Sequence, residues 1–328
     1  MYYIYFGVVM SLSFTLFALI IFLSLLLFSG VLIYLSARIL FLAVFSRSVP
    51  SILKKRSSLT KITKSEDFVK ELSSKSRTLE EKSTETVEID GYGGVRLRGH
   101  ILSAVTPRRL VIAVHGWRGS WCRDFGIVSE FFHASDTTTL FVEQRGQQGS
   151  GGDSITFGIC ERYDIIEWVK WAADRFPELP IYLCGVSMGA TSILLSASLG
   201  LSDRVHGIIA DSGFTSPVEI WRYVIRQNLH LPYAIYARAV SRECMKRTGQ
   251  NPDDCSTLTA LKDCSVPVLF IHGEEDSFVP LEMTYQNYYA CPSPKRLFVI
   301  PGANHCMGYY IDPIGYEKEM TEFWQEYD

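Results

Sequence analysis

The stretch Ile181 to Gly200, IYLCGVSMGATSILLSASLG, leaves few folds open to this chain. A short apolar run of strand formers meets Gly185-Val186-Ser187-Met188-Gly189, and a small-residue helical run follows at once. Strand, sharp turn and helix in that order make a nucleophile elbow. Glycines two residues either side of Ser187 let the strand and helix backbones come close enough to hold the serine in a strained turn. Its Oγ then stands above the C-terminal edge of a sheet. The Met188 N–H, in the first turn of the helix, points at the same space and favours negative charge there. Taken alone, the motif also describes a βα junction whose glycines serve packing only, so its context has to decide.

That context is a series of near-continuous apolar runs: LVIAVHG, TTLFVEQRG, HGIIAD, VPVLFIHG and RLFVIPG. Such runs suit strands covered on both faces. TVEIDG and VRLRGHILS flank a Tyr92-Gly93-Gly94 turn and predict a hairpin that opens the sheet. Helical patterns lie between the runs. The clearest is Arg162 to Phe176, where Ile165, Ile166, Val169, Ala172, Ala173 and Phe176 line one face and Pro177 provides the stop. The pattern predicts an α/β domain of roughly 240 residues in three layers, with eight strands in a mostly parallel sheet and helices on both faces. The alternation breaks between the sixth and seventh strands, at about 214–263. There WRYVIRQNLHLPYAIYARAVSREC reads as a small cap over the strand ends, the plainer alternative being a crossover helix with a long tail.

The N-terminus is of another kind. No charged side chain occurs from Met1 to Ala37, and the apolar region runs on to Phe45. It is long enough to cross a hydrocarbon core of about 30 Å, as one tilted span or as a tight hairpin. A secretory signal would carry a positive leader and a shorter apolar stretch, whereas Tyr2, Tyr3 and Tyr5 stand here, and a buried core helix is the other alternative. Arg38, Arg47, Lys54, Lys55 and Arg56 flank the C-terminal end, which places the remainder of the chain in the cytoplasm. The chain thus divides into an anchor over 1–45, a charged juxtamembrane linker over 46–85 and a catalytic domain over 86–328. In the linker, DFVKEL has some helical character but reads mainly as a solvated spacer. Removal of 1–45 is then expected to leave a soluble, active enzyme.

After Ser187 come an acid in HGEEDSFVP and a base in PGANHCMGY, each just past a strand. Loops at the C-terminal ends of parallel strands share one edge of the sheet, so Ser187, Asp276 and His305 can meet. Imidazole would take the serine proton, and the carboxylate would fix its tautomer and stabilise the imidazolium. Asp211, ending the sixth strand, is the alternative acid.

On these residues the chain resembles the α/β-hydrolase family from Thr86 to its end. The match rests on Gly185 to Gly189, His115-Gly116-Trp117, His272 to Asp276 and Gly302 to His305. More narrowly, G-x-S-M-G and R-G-x-x-G-S-G at Arg145 to Gly151 are similar to the serine aminopeptidase and monoacylglycerol lipase-like branch. The resemblance implies an oxyanion hole formed by the backbone N–H groups of Trp117 and Met188, and a cap at the insertion. It departs from the family at Glu143 to Gln148, where many relatives have Asp first and His in place of a glutamine.

Other chemistries lack support. A formal charge of −3 does not favour nucleic acid as a partner. Gly146 to Gly152 lacks a phosphate-loop lysine, and no cluster has zinc-ligand spacing, so neither cofactor nor metal is expected. The eight cysteines show no paired spacing. The leading function is hydrolysis of an acyl ester, of carboxylesterase or monoacyl-lipid lipase type, on a small-molecule substrate near a lipid bilayer. The first alternative is a serine peptidase or amidase, for which Glu219 and Glu243 are candidate amine-binding groups. The second is a non-enzymatic membrane-anchored binding protein.

Overall fold

The computed structural model describes residues 2–48, 66–82, 85–228 and 230–328. Its sheet has eight strands in the order β1-β2-β4-β3-β5-β6-β7-β8. They are β1 (Glu85–Asp90), β2 (Arg96–Leu102), β3 (Arg109–Val114), β4 (Thr137–Glu143), β5 (Ile181–Val186), β6 (Val205–Asp211), β7 (Val268–Gly273) and β8 (Lys295–Ile300). β1 and β2 form the expected antiparallel hairpin, β2 pairs antiparallel with β4, and every later pairing is parallel.

The helices, in chain order, are α1 (Tyr2–Phe45), α2 (Glu66–Glu81), α3 (Trp121–Phe125), α4 (Ser129–Ala134), α5 (Glu161–Arg175), α6 (Met188–Ser196), α7 (Pro217–Tyr223), α8 (Tyr233–Thr248), α9 (Thr257–Ala260), α10 (Leu281–Ala290), α11 (Gly308–Ile311) and α12 (Pro313–Tyr327). Successive strand side chains point to opposite faces. Leu110, Ile112 and Val114 accordingly join Trp168 and Val169 of α5 and Ile193 of α6 on one side. Val111 and Ala113 join Phe125, Phe132, Phe323 and Trp324 on the other. Every residue of β3, β4, β5 and β7 is buried, which is why those segments read as unbroken apolar runs.

Two regions pack more closely than the sequence suggests. In the segment expected as a solvated linker, residues 49–65 and 83–84 lie outside the described residues, but 66–81 forms a helix. Phe68 stacks edge-on against Tyr310 at 4.9 Å, and Leu79 is fully buried beside Phe125 and Phe132. Phe68, Leu72 and Leu79 fall on one side of the helix, so the segment is amphipathic although its composition is dominated by charged and hydroxyl side chains.

The other region is α1, a single continuous helix rather than a hairpin. The most apolar 18-residue window within Phe14 to Phe45 has a mean hydropathy of 2.9, and the large side chains from Phe14 to Leu35 are exposed. Ala37 and Phe45 are buried in the same apolar cluster as the cap residues Trp221, Tyr233 and Tyr236. Packing therefore runs straight across the expected anchor boundary at residue 45.

Candidate active site

Ser187 caps α6 with φ 54° and ψ −117°. Few L residues adopt such a backbone, and its persistence requires tight surroundings. Both flanking glycines supply them. A Cβ on Gly185 would lie 2.6 Å from Ala190 N, and one on Gly189 only 2.0 Å from Val114 O. The Ser187 N–H donates to Asp211 O at 2.8 Å, tying the turn to β6.

His305, in the loop after β8, brings Nε2 to 2.9 Å from Ser187 Oγ and Nδ1 to 2.6 Å from Asp276 Oδ2. A neutral ring protonated on Nδ1 donates to Asp276 and offers Nε2 to the serine hydroxyl. The other Asp276 oxygen, Oδ1, accepts the N–H groups of Phe278 and Val279, each at 2.8 Å. His272 Nε2 lies 3.2 Å from Asp276 Oδ2, behind it in β7. Burial works to raise the Asp276 carboxyl pKa. The His305 charge and the hydrogen bonds from His272 and His305 outweigh burial and hold it well below the usual carboxylate range. Burial works to lower His305, but Cys306 and the Asp276 carboxylate prevail and hold the imidazole well above its usual value.

Asp211 is engaged elsewhere. Its Oδ2 accepts from Tyr316 Oη at 3.0 Å and its Oδ1 from Ser212 Oγ at 2.8 Å, while burial raises its pKa. Of the two candidate acids, Asp276 is the one bonded to His305.

The loop after β3 passes directly over the serine. A Cβ on Gly116 would meet the Ser187 Cβ at 3.3 Å. The loop is pinned by Asp124, whose Oδ2 accepts the Gly116 N–H at 2.8 Å, and by Gln144, whose N–H donates to His115 Nε2 at 3.1 Å. Sequence reasoning missed Asp124. Its one local signal is Ser120, which caps α3 and so sets the first helical turn carrying Asp124. Trp117 and Arg118 follow Gly116, Arg118 with φ 52°. Arg118, Ser187, Ser212 and Cys306 all take positive φ just beyond β3, β5, β6 and β8, so strained backbone gathers at one sheet edge. Met188 opens α6, where the first-turn N–H groups have no intrahelical acceptor.

The insertion at 214–263 holds α7, α8 and α9. Trp221, Tyr233 and Tyr236 are buried in one cluster with Met188, Trp117 and Phe278, while Leu231 and Ile235 are exposed and Leu229 lies outside the described residues. Glu219 and Glu243 are taken up in helix-surface pairs, with Arg222 at 2.5 Å and Lys246 at 3.1 Å. Glu143 accepts from His100 and from the Gly149 N–H, so the loop that departs from the family pattern is braced internally. A cavity of about 420 Å³ between α2 and α3, lined by Phe68, Leu72, Arg77 and Arg123, lies away from Ser187. Among the described residues, no group of three or more His, Cys, Asp or Glu side chains is arranged to hold a metal ion.

Residues 111–313 match the family model described as the alpha/beta hydrolase family. The chain is 26% identical over 237 residues to the uncharacterized protein YqkD of Bacillus subtilis, covering 72% of this chain and 75% of that one. It is 23% identical over 268 residues to the protein bem46 of Schizosaccharomyces pombe, covering 79% and 80%. Among solved structures it is similar in fold to a Pyrococcus furiosus esterase, with a TM-score of 0.60, 24% identity and coverage of 75% and 91%. It is also similar to Est1E from Butyrivibrio proteoclasticus with ferulic acid bound, with a TM-score of 0.57, 20% identity and coverage of 74% and 98%.

Proposed function

The chain belongs to the alpha/beta hydrolase family and is a hydrolase of that fold, and from this premise we propose that it is a serine esterase acting on acyl esters through an acyl-enzyme on Ser187. The observation that carries the reading is the unbroken hydrogen-bonded line from Ser187 Oγ through His305 to Asp276, at 2.9 and 2.6 Å. His305 takes the serine proton as Oγ attacks the ester carbonyl, and returns it to the leaving alcohol. It then activates the water that releases the acid. Asp276, kept ionised by His305 and His272 and oriented by two backbone N–H groups, holds the tautomer and stabilises the imidazolium. The N–H groups of Met188 and Trp117 face the carbonyl oxygen as it becomes an oxyanion.

The apolar cluster around Met188, Trp117 and Phe278 supports an acyl chain as the substrate's non-reacting part. A bilayer location for α1, with the domain on the cytoplasmic side, would bring amphiphilic esters to this face. The exposed Leu231 and Ile235, on the cap that packs against α1, fit the same surroundings. The test is a panel of p-nitrophenyl esters set against aminoacyl amides, run on the full-length protein in detergent alongside labelling by a fluorophosphonate serine probe. Ester turnover with labelling supports the reading. Faster amide cleavage, or no turnover and no labelling, overturns it.

A further inference from the structure

The last four carbonyls of a helix have no partner within it. In α1 these belong to Leu42, Ala43, Val44 and Phe45, and the next residues, Ser46, Arg47 and Ser48, offer no glycine to cap them. Leu42 O accepts the Ser46 N–H at 3.3 Å. The other three are satisfied by the catalytic domain. Ala43 O accepts from Arg118 Nη2 at 2.8 Å, Val44 O from Trp117 Nε1 at 2.9 Å, and Phe45 O from the Ile155 N–H at 2.7 Å. Arg118 Nη2 also reaches Ser46 O at 2.7 Å, and the Arg47 guanidinium bonds back to Ser150 O at 2.5 Å. Phe45 packs edge-on against Trp221 at 4.8 Å and lies 5.3 Å from Phe157.

Two of these donors, Trp117 and Arg118, are consecutive residues of the loop that passes over Ser187, and Arg118 holds a strained φ of 52°. A positive φ at a non-glycine residue persists only when its surroundings over-determine it. Here the loop closes its own turn, the Gly119 N–H donating to Gly116 O at 3.1 Å, and the helix end adds the bonds to Trp117 and Arg118. The Gly116–Trp117 peptide plane, which carries the Trp117 N–H, is held on one side by the Gly116 N–H bonded to Asp124 and on the other by the Trp117 ring and the Arg118 side chain, both bonded to the helix end.

We propose that the C-terminal turn of α1, residues 43–46, is a positioning element of the active site: it holds the Trp117–Arg118 loop so that the Trp117 N–H faces the developing oxyanion. The proposal rests on the reading of Ser187 as an acyl-forming nucleophile. It makes the apolar helix part of the catalytic apparatus as well as an anchor.

The test is steady-state kinetics of the full-length protein in detergent on p-nitrophenyl acetate, whose short acyl group draws least on the apolar cluster. Arg118→Ala disturbs the contact from the loop side and Phe45→Ala from the helix side. Outright loss of an oxyanion donor costs about 10² to 10³ in kcat, so a loosened one is expected to cost about tenfold to hundredfold, with KM within about twofold. Arg118→Lys, which keeps one donor, should recover part of the loss. Unchanged kcat on acetate in both folded variants would overturn the proposal. So would an effect confined to the KM of long-chain esters, which would make Phe45 only a pocket wall. If either alanine variant fails to fold, Arg118→Lys and Phe45→Leu carry the same measurement at smaller amplitude. Wild-type protein with neither ester turnover nor serine labelling would instead defeat the esterase reading, and the proposal with it.

Discussion

Asp276 Oδ2 lies 2.6 Å from His305 Nδ1, whereas Asp211, also at the edge of the sheet, spends its carboxylate on Tyr316 and Ser212. Asp276→Asn should therefore lower kcat far beyond tenfold, on the order of 10⁴, since an amide favours the wrong imidazole tautomer. Asp211→Asn should be mild by comparison in kcat, its cost appearing as lost thermal stability. Parallel kinetics and melting curves on the two variants check this, and a reversed ranking would move the acid to Asp211.

Ser187→Ala should abolish ester turnover and leave the fold intact, because the hydroxyl adds almost nothing to core volume. The expected loss is on the order of 10⁴ to 10⁶, and a Ser187→Ala, His305→Ala double variant should be little worse than either single one. Turnover measured with rigorously purified protein, next to its circular dichroism spectrum, is the readout.

The pH profile is set by His305. Its imidazolium is stabilised well above the usual value, and only the neutral ring can accept the serine proton. Activity should be low where His305 is protonated and rise with increasing pH, with the limb in kcat/KM above about 6.5, the ordinary histidine value. Asp276→Asn removes a negative partner and should move the limb to lower pH while reducing its height. A wild-type limb at or below 6.5 would contradict the geometry.

Truncation should depend sharply on where it is made. Deleting residues 1–35 removes most of the exposed apolar surface of α1 and keeps Ala37, Phe45 and the carbonyls that meet Trp117 and Arg118. That protein should fold and turn over acetate esters at near wild-type kcat. Deleting residues 1–47 should cost activity as well, contrary to what an anchor ending at residue 45 implies. Size-exclusion behaviour and acetate esterase kinetics of the two proteins decide between these.

Leu79→Ala should destabilise the domain by about 2 to 5 kcal/mol, the range for emptying a fully buried leucine site. Denaturant titration followed by tryptophan fluorescence would read it. A change below about 0.5 kcal/mol, the size of an ordinary surface substitution, would return α2 to the status of a loose spacer.

What the sequence displays is what local chemistry dictates. Buried parallel strands write themselves as apolar runs, and Gly185 and Gly189 are legible because no side chain fits against Ala190 and Val114. The order Ser187, Asp276, His305 is visible because each residue directly follows a strand. By contrast, α2 is amphipathic but poor in apolar residues, so its composition suggests a solvated spacer while its spacing places Phe68, Leu72 and Leu79 on one face. The union of α1 with the loop after β3 runs largely through backbone carbonyls, which every residue has, so no side-chain pattern announces it. The family resemblance marks Trp117 only by its backbone N–H, and the indole N–H that ties it to Val44 has no counterpart in that pattern.

The unbroken course of α1 into the catalytic domain bears on how the protein would meet its substrate. At 1.5 Å per residue, Phe14 to Ala37 spans about 36 Å, enough for one crossing of a membrane. With the turn from Ala43 to Ser46 bonded to the domain, the joint is a stiff neck, not a leash. If α1 crosses a membrane, a domain carried on such a neck would stand at one height above the lipid and turn mainly about the membrane normal. Ser187 would then sweep a fixed annulus of the leaflet, and its encounters would be a two-dimensional search set by lateral diffusion.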